Sequence, residues 1–194
     1  MKRRDERQKA FQEVPMLSIH AHPQRRSVLL LALGMGLAHR GPPAFAQAAT
    51  TAPGPAPADL RGRTLDGQAF DLTRLRGKVV MVLFWSTDCA VCRDKMPELR
   101  ANVKGWQGRP FELVSVSTDA ARAAIEAHQR LVQLTVPASQ RFTTLWAGEP
   151  GLQHSFGPPG QLPALFLLDK DSRVVESHHG RVPAQAWDRV ADLL

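Results

Sequence analysis

The sequence predicts an α/β fold in which a central mixed β-sheet is flanked by helices and preceded by an N-terminal β-hairpin. Two observations carry this prediction. Apolar, largely β-branched or leucine-rich runs at 79–85 and 163–169 have the length and continuity of strands that are covered on both faces. Helix-like segments alternate with these strands, and the chain then enters a second hairpin, an order that favours a mixed sheet with helices on both faces.

The first half of the domain has clear element signals. Asp66-Gly67 is a turn between two short alternating segments and predicts a hairpin over 63–72. After the strand at 79–85, a helix is expected from Cys89 to about Gly105, with Pro97 as a kink inside it. A strand at 111–117 follows, and Asp119 is a candidate N-cap for the next helix.

The second half is less regular. Residues 134–160 are rich in Thr, Ser, Gly and Pro, and we expect one short helix there, at 142–146 or 152–156. The strand at 163–169 turns back into a strand at 174–178. Pro183 then suits the first turn of a final amphipathic helix that continues to Leu194.

Residues 1–46 have the features of an export leader. Arg25-Arg26 precede an apolar run at 28–38 that is too short for a membrane-spanning helix, and Ala44-Phe45-Ala46 matches a signal-peptidase site. We therefore expect cleavage near Ala46 and a periplasmic protein. The Arg pair also occurs in twin-arginine signals, so both the general and the twin-arginine export routes stay open.

The leader also accounts for most of the formal net charge of +7. Residues 1–15 are charged and unlike the start of a signal, so Met16 is a candidate initiator. Residues 47–58 are rich in Pro and Ala and predict a flexible linker, which leaves a folded domain at 59–194. No basic stripe with interleaved aromatic residues follows, and we predict no nucleic-acid partner.

Cys89 and Cys92 are the only cysteines of the chain, and their C-x-x-C spacing has three interpretations. Structural zinc takes four Cys or His ligands, whereas His154 and His178-His179 match no zinc spacing. An inert disulfide would close a very short loop, which removes little entropy from the unfolded chain. A redox dithiol is favoured, because a helix N-terminus stabilises a thiolate there.

In that interpretation Cys89 is the exposed nucleophile that forms a mixed disulfide with a client. Cys92 lies one helical turn further on, is more buried, and resolves that intermediate. Two other functions remain open at this stage. The dithiol could hold Cu(I) or a partner thiol without catalysis, since two thiolates suffice for Cu(I), or it could donate its disulfide as an oxidase.

Several motifs around the cysteine pair resemble one known family. Phe84-Trp85, Arg93, the run 96–99 (Met-Pro-Glu-Leu) and the run 160–169 (Gly-Gln-Leu-Pro-Ala-Leu-Phe-Leu-Leu-Asp) are similar to the TlpA/ResA-like group of exported thioredoxin-fold proteins. The resemblance implies a thioredoxin-like fold over the whole predicted domain. It places Trp85 near the dithiol and implies that Leu162 and a cis Pro163 help to present the substrate chain. By itself, Pro163 would suit the first residue of a strand.

Two positions depart from the family pattern. Leu83 stands where thioredoxin has a buried acid, so no proton shuttle can lie at that position. Asp88 stands where the family often has Trp. Its carboxylate would either oppose formation of the Cys89 thiolate or cap the following helix.

The resemblance implies a thiol–disulfide oxidoreductase of the periplasm. It suggests reduction of client proteins in cytochrome c maturation, or reduction of the cysteines of copper sites, with a membrane electron donor for re-reduction. We expect no metal and no other cofactor, and a monomer.

Overall fold

The computed structural model describes residues 56–194. The expected signal peptide, the candidate start at Met16, the cleavage site near Ala46 and most of the linker lie outside the described residues. Ala58, which the sequence assigns to the linker, is 8% exposed and packs into an apolar core. Its amide donates to the carbonyl of Ser172 at 2.7 Å. Within residues 56–194, no helix has the length and apolarity needed to cross a membrane.

Outside residues 134–160, the order of elements follows the prediction from the hairpin to the final helix. In chain order they are β1 (Leu60–Arg63), β2 (Ala69–Asp71), β3 (Val79–Trp85), α1 (Ala90–Gly105), β4 (Phe111–Ser117), α2 (Arg122–Thr135), β5 (Thr143–Trp146), β6 (Gln153–His154), β7 (Ala164–Leu168), β8 (Val174–His179) and α3 (Gln185–Leu193). Short 3₁₀ turns lie at Leu72–Leu75 and Ala138–Gln140. Helix α1 continues through Pro97.

The main sheet has five strands in the order β5-β4-β3-β7-β8. Strands β3, β4 and β5 are parallel, whereas β7 runs antiparallel to β3, and β8 antiparallel to β7. The carboxyl ends of the three parallel strands therefore meet the start of β7 at one edge of the sheet. Every residue of the central strand β3 is buried, which explains its continuous apolar sequence.

The two faces of this sheet are covered differently from what the sequence indicated. One face holds the alternate β3 side chains Met81, Leu83 and Trp85, and buried residues of all three α-helices pack there. The other face holds Val80, Val82 and others, and is covered by the small antiparallel sheet β2-β1-β6 with the first 3₁₀ turn. The mixed sheet with flanking helices is confirmed, but the expectation of α-helices on both faces is wrong. Two consecutive right-handed β-α-β crossovers that step in one direction place α1 and α2 on the same face.

The irregular region at 134–160 also differs from its prediction. A short helix was expected at 142–146 or 152–156, but these stretches contain β5 and β6. Leu145 is buried in the core between the two sheets, and Leu152 packs against the same core beside Gly62 of β1. Such pairings depend on partners far away in the sequence, which a local pattern does not contain.

Candidate active site

The cysteine pair lies at the junction of β3 and α1, on the edge where the parallel strands end. Cys89 is the N-cap residue of α1, and its Sγ accepts a hydrogen bond from the amide of Cys92 at 3.1 Å. The two cysteines are joined by a disulfide, with 5.2 Å between their Cα atoms. The amides and the dipole of the first turn of α1 thus point at the sulfur that a thiolate form would occupy.

The two sulfurs differ in their accessibility. Cys92 is 1% exposed and belongs to the core beneath the helices, together with Met96 and Leu99 of the same helix. Cys89 is half-buried and packs at the rim of that core. An incoming sulfur can therefore reach Cys89, whereas Cys92 is shielded from it.

Leu162 and Pro163 lie beside this junction. The Leu162–Pro163 peptide bond is cis, as the family resemblance implies. Register pairs Phe84 of β3 with Ala164 of β7, so Pro163 lies next to the end of β3 from which the cysteine loop departs. The Pro163 carbonyl accepts from the amide of Gly180 at 2.9 Å, which ties this segment to the end of β8.

Trp85 supports the site from below. It is only 2% exposed, and its indole ring lies edge-on to the imidazole of His128 on α2, with ring centroids 5.0 Å apart. The Trp85 carbonyl accepts from the amide of Thr118 at 2.7 Å. Trp85 is therefore part of the packed floor under the cysteine loop.

Leu83 and Asp88 take different positions. Leu83 is 1% exposed within the apolar core, so the strand below the dithiol carries no polar group at this position. Asp88 is exposed, and its carboxylate accepts a hydrogen bond from the hydroxyl of Ser86. It does not cap α1, since Cys89 is the N-cap residue, so that alternative is wrong.

Asp119 is the site residue whose role the sequence did not indicate. We expected it to cap α2, but that helix begins at Arg122 after Ala121, whose side chain makes no capping hydrogen bond. The Asp119 carboxylate instead accepts from the amide of Thr87 at 3.0 Å and from its hydroxyl at 2.6 Å. A third hydrogen bond comes from the hydroxyl of Ser117 at 2.6 Å. The parallel pairing of β3 and β4, which places the residues after each strand side by side, was the signal that could have revealed it.

Half-buried His128 on α2 contacts Trp85, and the buried Arg100 on α1 lies within electrostatic reach of this imidazole. Burial lowers the pKa of His128, the positive charge of Arg100 lowers it further, and Asp119 acts in the opposite direction. Burial also lowers the pKa of Arg100, whose guanidinium lies 4.9 Å from the centre of the Phe142 ring and donates to the Gln140 carbonyl at 3.3 Å. Trp85 thus belongs to the apolar core but meets a polar side chain, His128, at one side.

The histidines considered for a zinc site lie elsewhere. His154 packs against Phe84 under the small sheet, His178 pairs with Glu176, and His179 contacts the Pro159 carbonyl at 3.0 Å. In the part of the chain that the structure describes, no three Cys, His, Asp or Glu side chains are grouped so that they could hold a metal ion.

Comparison with known proteins places the chain in a family. The model of the AhpC/TSA family matches residues 53–177, which is well over half of the chain. The chain belongs to the AhpC/TSA family. Within it the relatives support the TlpA/ResA-like, thioredoxin-fold resemblance drawn from the motifs around Cys89 and Pro163.

Two of the sequence relatives are thiol-disulfide oxidoreductases named ResA. The chain is 30% identical over 112 residues to the thiol-disulfide oxidoreductase ResA of Bacillus cereus (strain ZK / E33L), covering 58% of this chain and 61% of that protein. It is 27% identical over 130 residues to ResA of Geobacillus thermodenitrificans (strain NG80-2), covering 67% and 71%. The chain thus matches about three fifths of the length of the ResA relative with 30% identity.

Among solved structures, a thiol:disulfide interchange protein of the thioredoxin family from Chlorobium tepidum TLS matches with a TM-score of 0.57. The match covers 74% of this chain and 97% of that protein at 22% identity. At this identity the likeness establishes the thioredoxin fold of this AhpC/TSA family member.

Proposed function

We propose that this protein is a thiol–disulfide oxidoreductase that reduces disulfides in other proteins. The observation that carries the proposal is the unequal exposure of a disulfide-forming pair at a helix N-terminus. Cys89 can be approached from outside, and Cys92 is enclosed directly behind it. The names of the relatives support the same activity.

The reaction follows from this arrangement. The Cys89 thiolate attacks one sulfur of a client disulfide, forms a mixed disulfide and releases the other client sulfur as a thiolate. Cys92 then loses its proton and attacks Cys89 Sγ, which breaks the mixed disulfide and releases the second client thiolate. Two electrons pass to the client, its two thiolates take up protons, and the Cys89–Cys92 disulfide forms.

Serine substitutions separate the two roles. We expect Cys89→Ser to abolish reduction of insulin disulfides by the full chain with dithiothreitol as electron donor. Cys92→Ser should instead accumulate a mixed disulfide that non-reducing gels detect and that reductant removes. The exposed Ser177→Ala on β8 is the control and should retain activity. Insulin reduction by Cys89→Ser at the wild-type rate would contradict the mechanism.

The direction of electron flow is part of the proposal. A reductase requires a midpoint potential well below that of a strongly oxidising thiol–disulfide protein, which is about −120 mV. Equilibration of the Cys89–Cys92 pair with dithiothreitol or glutathione buffers measures this value. A potential in the oxidising range would assign the protein to disulfide donation instead.

We further propose that the protein works in the periplasm, with a membrane protein as its electron donor. The basic and apolar leader with its Ala44-Phe45-Ala46 site supports export. Cell fractionation, with the N-terminus of the mature protein found near Gln47, tests this location. Membrane vesicles, but not the soluble fraction, should re-reduce the oxidised protein. Retention of the leader in a cytoplasmic protein would contradict export.

The proposed clients are apocytochromes c or proteins whose copper-site cysteines must be reduced. Both present paired thiols that oxidise easily outside the cytoplasm. The Cys92→Ser variant provides the test, because it should trap its clients as mixed disulfides that mass spectrometry identifies.

We propose that the protein acts as a monomer. Light scattering of the purified protein measures its molecular mass and tests this proposal.

A further inference from the structure

We propose that Asp119 is a positioning residue that holds the cysteine loop and lowers the reactivity of Cys89 at neutral pH. This inference rests on the proposed thiol–disulfide function and assigns to its site a residue from the neighbouring strand end. Asp119 is only 8% exposed. Because a buried carboxylate requires hydrogen-bond partners, its contacts indicate its role. Its partners are Thr87, in the loop that leads to Cys89, and Ser117 at the end of β4.

The contacts of Asp119 converge on Thr87, two residues before Cys89. One carboxylate oxygen, Oδ1, receives both the amide and the hydroxyl of Thr87. The other, Oδ2, receives the hydroxyl of Ser117. Hydrogen bonds to a charged acceptor are about twice as strong as neutral ones, so this carboxylate is a firm anchor for the loop.

Asp119 is itself fixed from the far side. Its backbone carbonyl accepts from the indole Nε1 of Trp146, at the end of β5, at 2.7 Å. On the near side, the guanidinium of Arg93 on α1 donates to the Thr87 carbonyl at 2.8 Å. These contacts connect β5 through Asp119 and Thr87 to Arg93 in the first turn of α1. Cys89 lies between Thr87 and Arg93 in the sequence.

The charges around the loop give this anchor a second effect. The ionisable groups near the loop are the carboxylates of Asp88 and Asp119 and the guanidinium of Arg93. The imidazole of His128 on α2 interacts electrostatically with Asp119. Asp119 is the buried anion of this set. A buried negative charge behind the loop opposes a thiolate at Cys89 and so acts against the helix dipole. Because a less stable thiolate disfavours the reduced form, Asp119 also makes the dithiol more reducing.

The experiment measures thiol chemistry rather than turnover. Reduced protein is treated with iodoacetamide at pH 7, and the alkylation rate of Cys89 is followed by mass spectrometry. The midpoint potential of the pair is measured in dithiothreitol buffers. We expect Asp119→Asn, which keeps one acceptor oxygen but loses the charge, to alkylate several-fold faster and to have a higher potential. Asp192→Asn on α3 is the charge-matched control: it is exposed and near the helix end tied to Lys170, at the opposite sheet edge. It should match the wild type.

Substitutions of Thr87 test the same anchor with the opposite sign. Thr87→Val removes one donor and leaves the Asp119 charge less compensated, so alkylation of Cys89 should slow and the potential should fall. Thr87→Ser retains the hydroxyl and should restore wild-type values. Thermal unfolding verifies that each variant is folded, and the Thr87 pair decides the question if Asp119→Asn does not fold.

Two results would overturn the proposal. One is a folded Asp119→Asn variant with the wild-type alkylation rate and potential. The other is identical chemistry in Thr87→Val and Thr87→Ser. Failure of the proposed function would look different, since the wild type would then not reduce insulin while these differences in thiol reactivity persisted.

Discussion

The indole of Trp85 and the imidazole of His128 meet edge to face directly beneath the cysteine loop, with 5.0 Å between their ring centres. Trp85 Nε1 and His128 Nε2 are both buried, and neither has a hydrogen-bond partner among the described residues. Burial and the charge of Arg100 lower the pKa of His128, although Asp119 opposes them. Burial and the charge of Arg100 therefore favour the neutral imidazole of His128.

The low pKa of His128 makes stability depend on pH. In the unfolded chain the pKa of His is about 6.5, so His128 binds a proton there at a higher pH than in the folded protein. Stability from this group is complete above that value and is lost as the pH falls through the lower folded pKa. We expect the free energy of unfolding, measured in urea, to decrease between pH 7 and 5. His128→Gln should flatten this decrease, leaving the part due to His154, whose pKa burial also lowers.

Asp71→Asn is the control for this measurement. Hydrogen bonds from the Thr73 hydroxyl and amide lower the pKa of Asp71. Its contribution is present above the unfolded value of about 3.9 and is lost only at lower pH. The variant should leave the slope between pH 7 and 5 unchanged. An equal slope in His128→Gln and the wild type would contradict the assignment to His128.

Leu83 tests how far the apolar floor of the site stabilises the fold. It is 1% exposed in the core between β3 and the helices. Leu83→Ala should lower the free energy of unfolding by ~2–5 kcal/mol, because it removes buried methyl groups and leaves a cavity. Leu134→Ala on α2, where the side chain is 85% exposed, should change it by less than ~0.5 kcal/mol. A small effect at Leu83 in urea unfolding would mean that the core refills the space.

Gly148 lies against the Trp146 ring that holds Asp119. A Cβ at Gly148 would lie 2.7 Å from Cε2 and Cη2 of that indole, so the ring must move. Gly148→Ala should therefore cost ~1–3 kcal/mol of stability and perturb the reactivity of Cys89. In Gly105→Ala, at the end of α1, the added methyl meets no atom within 4 Å, and we expect a gain of ~0.4–1 kcal/mol. Thermal unfolding of the two variants compares them, and equal shifts would contradict the clash.

Glu98 joins α1 to α3 below the dithiol. Its carboxylate accepts from Trp187 Nε1 and from Lys95 Nζ, each at 2.7 Å. Burial acts to raise the pKa of Glu98, but these two hydrogen bonds outweigh it and hold the pKa below its usual value. Trp187→Phe and Glu98→Gln should show a coupling of ~0.5–1 kcal/mol in a double-mutant cycle at pH 7. The coupling should disappear as the pH falls through the folded pKa of Glu98, and its absence at pH 7 would contradict the contact.

The elements that could be predicted are those that leave a recognisable pattern in a short stretch of sequence. The run 79–85 is apolar because a central strand is covered on both sides, and Cys89 lies at a helix start that its neighbours indicate. The hairpin around Gly67, where φ is +83°, follows from a residue that tolerates this conformation. The fold class and the position of the cysteine pair could therefore be predicted.

What the sequence did not predict depends on contacts across the fold. Leu145 of β5 pairs with Val116, and Gln153 of β6 pairs with Arg61. No pattern in the neighbouring sequence encodes either pairing. Asp119 looked like a helix cap because Asp commonly has that role. Its actual partner, Thr87, is 32 residues away and becomes adjacent only through the parallel pairing of β3 and β4.

The hydrogen bond from Ala58 to Ser172 has a consequence for handling the protein. Ser172 lies in the turn that follows Leu168, which pairs with Val80 at the start of β3, whereas Cys89 follows the end of that strand. The segment at Ala58 therefore enters the domain at the edge of the sheet opposite to Cys89 and Cys92. A fusion partner, fluorescent label or surface linker attached ahead of Ala58 would leave the face around Cys89 open to large protein substrates.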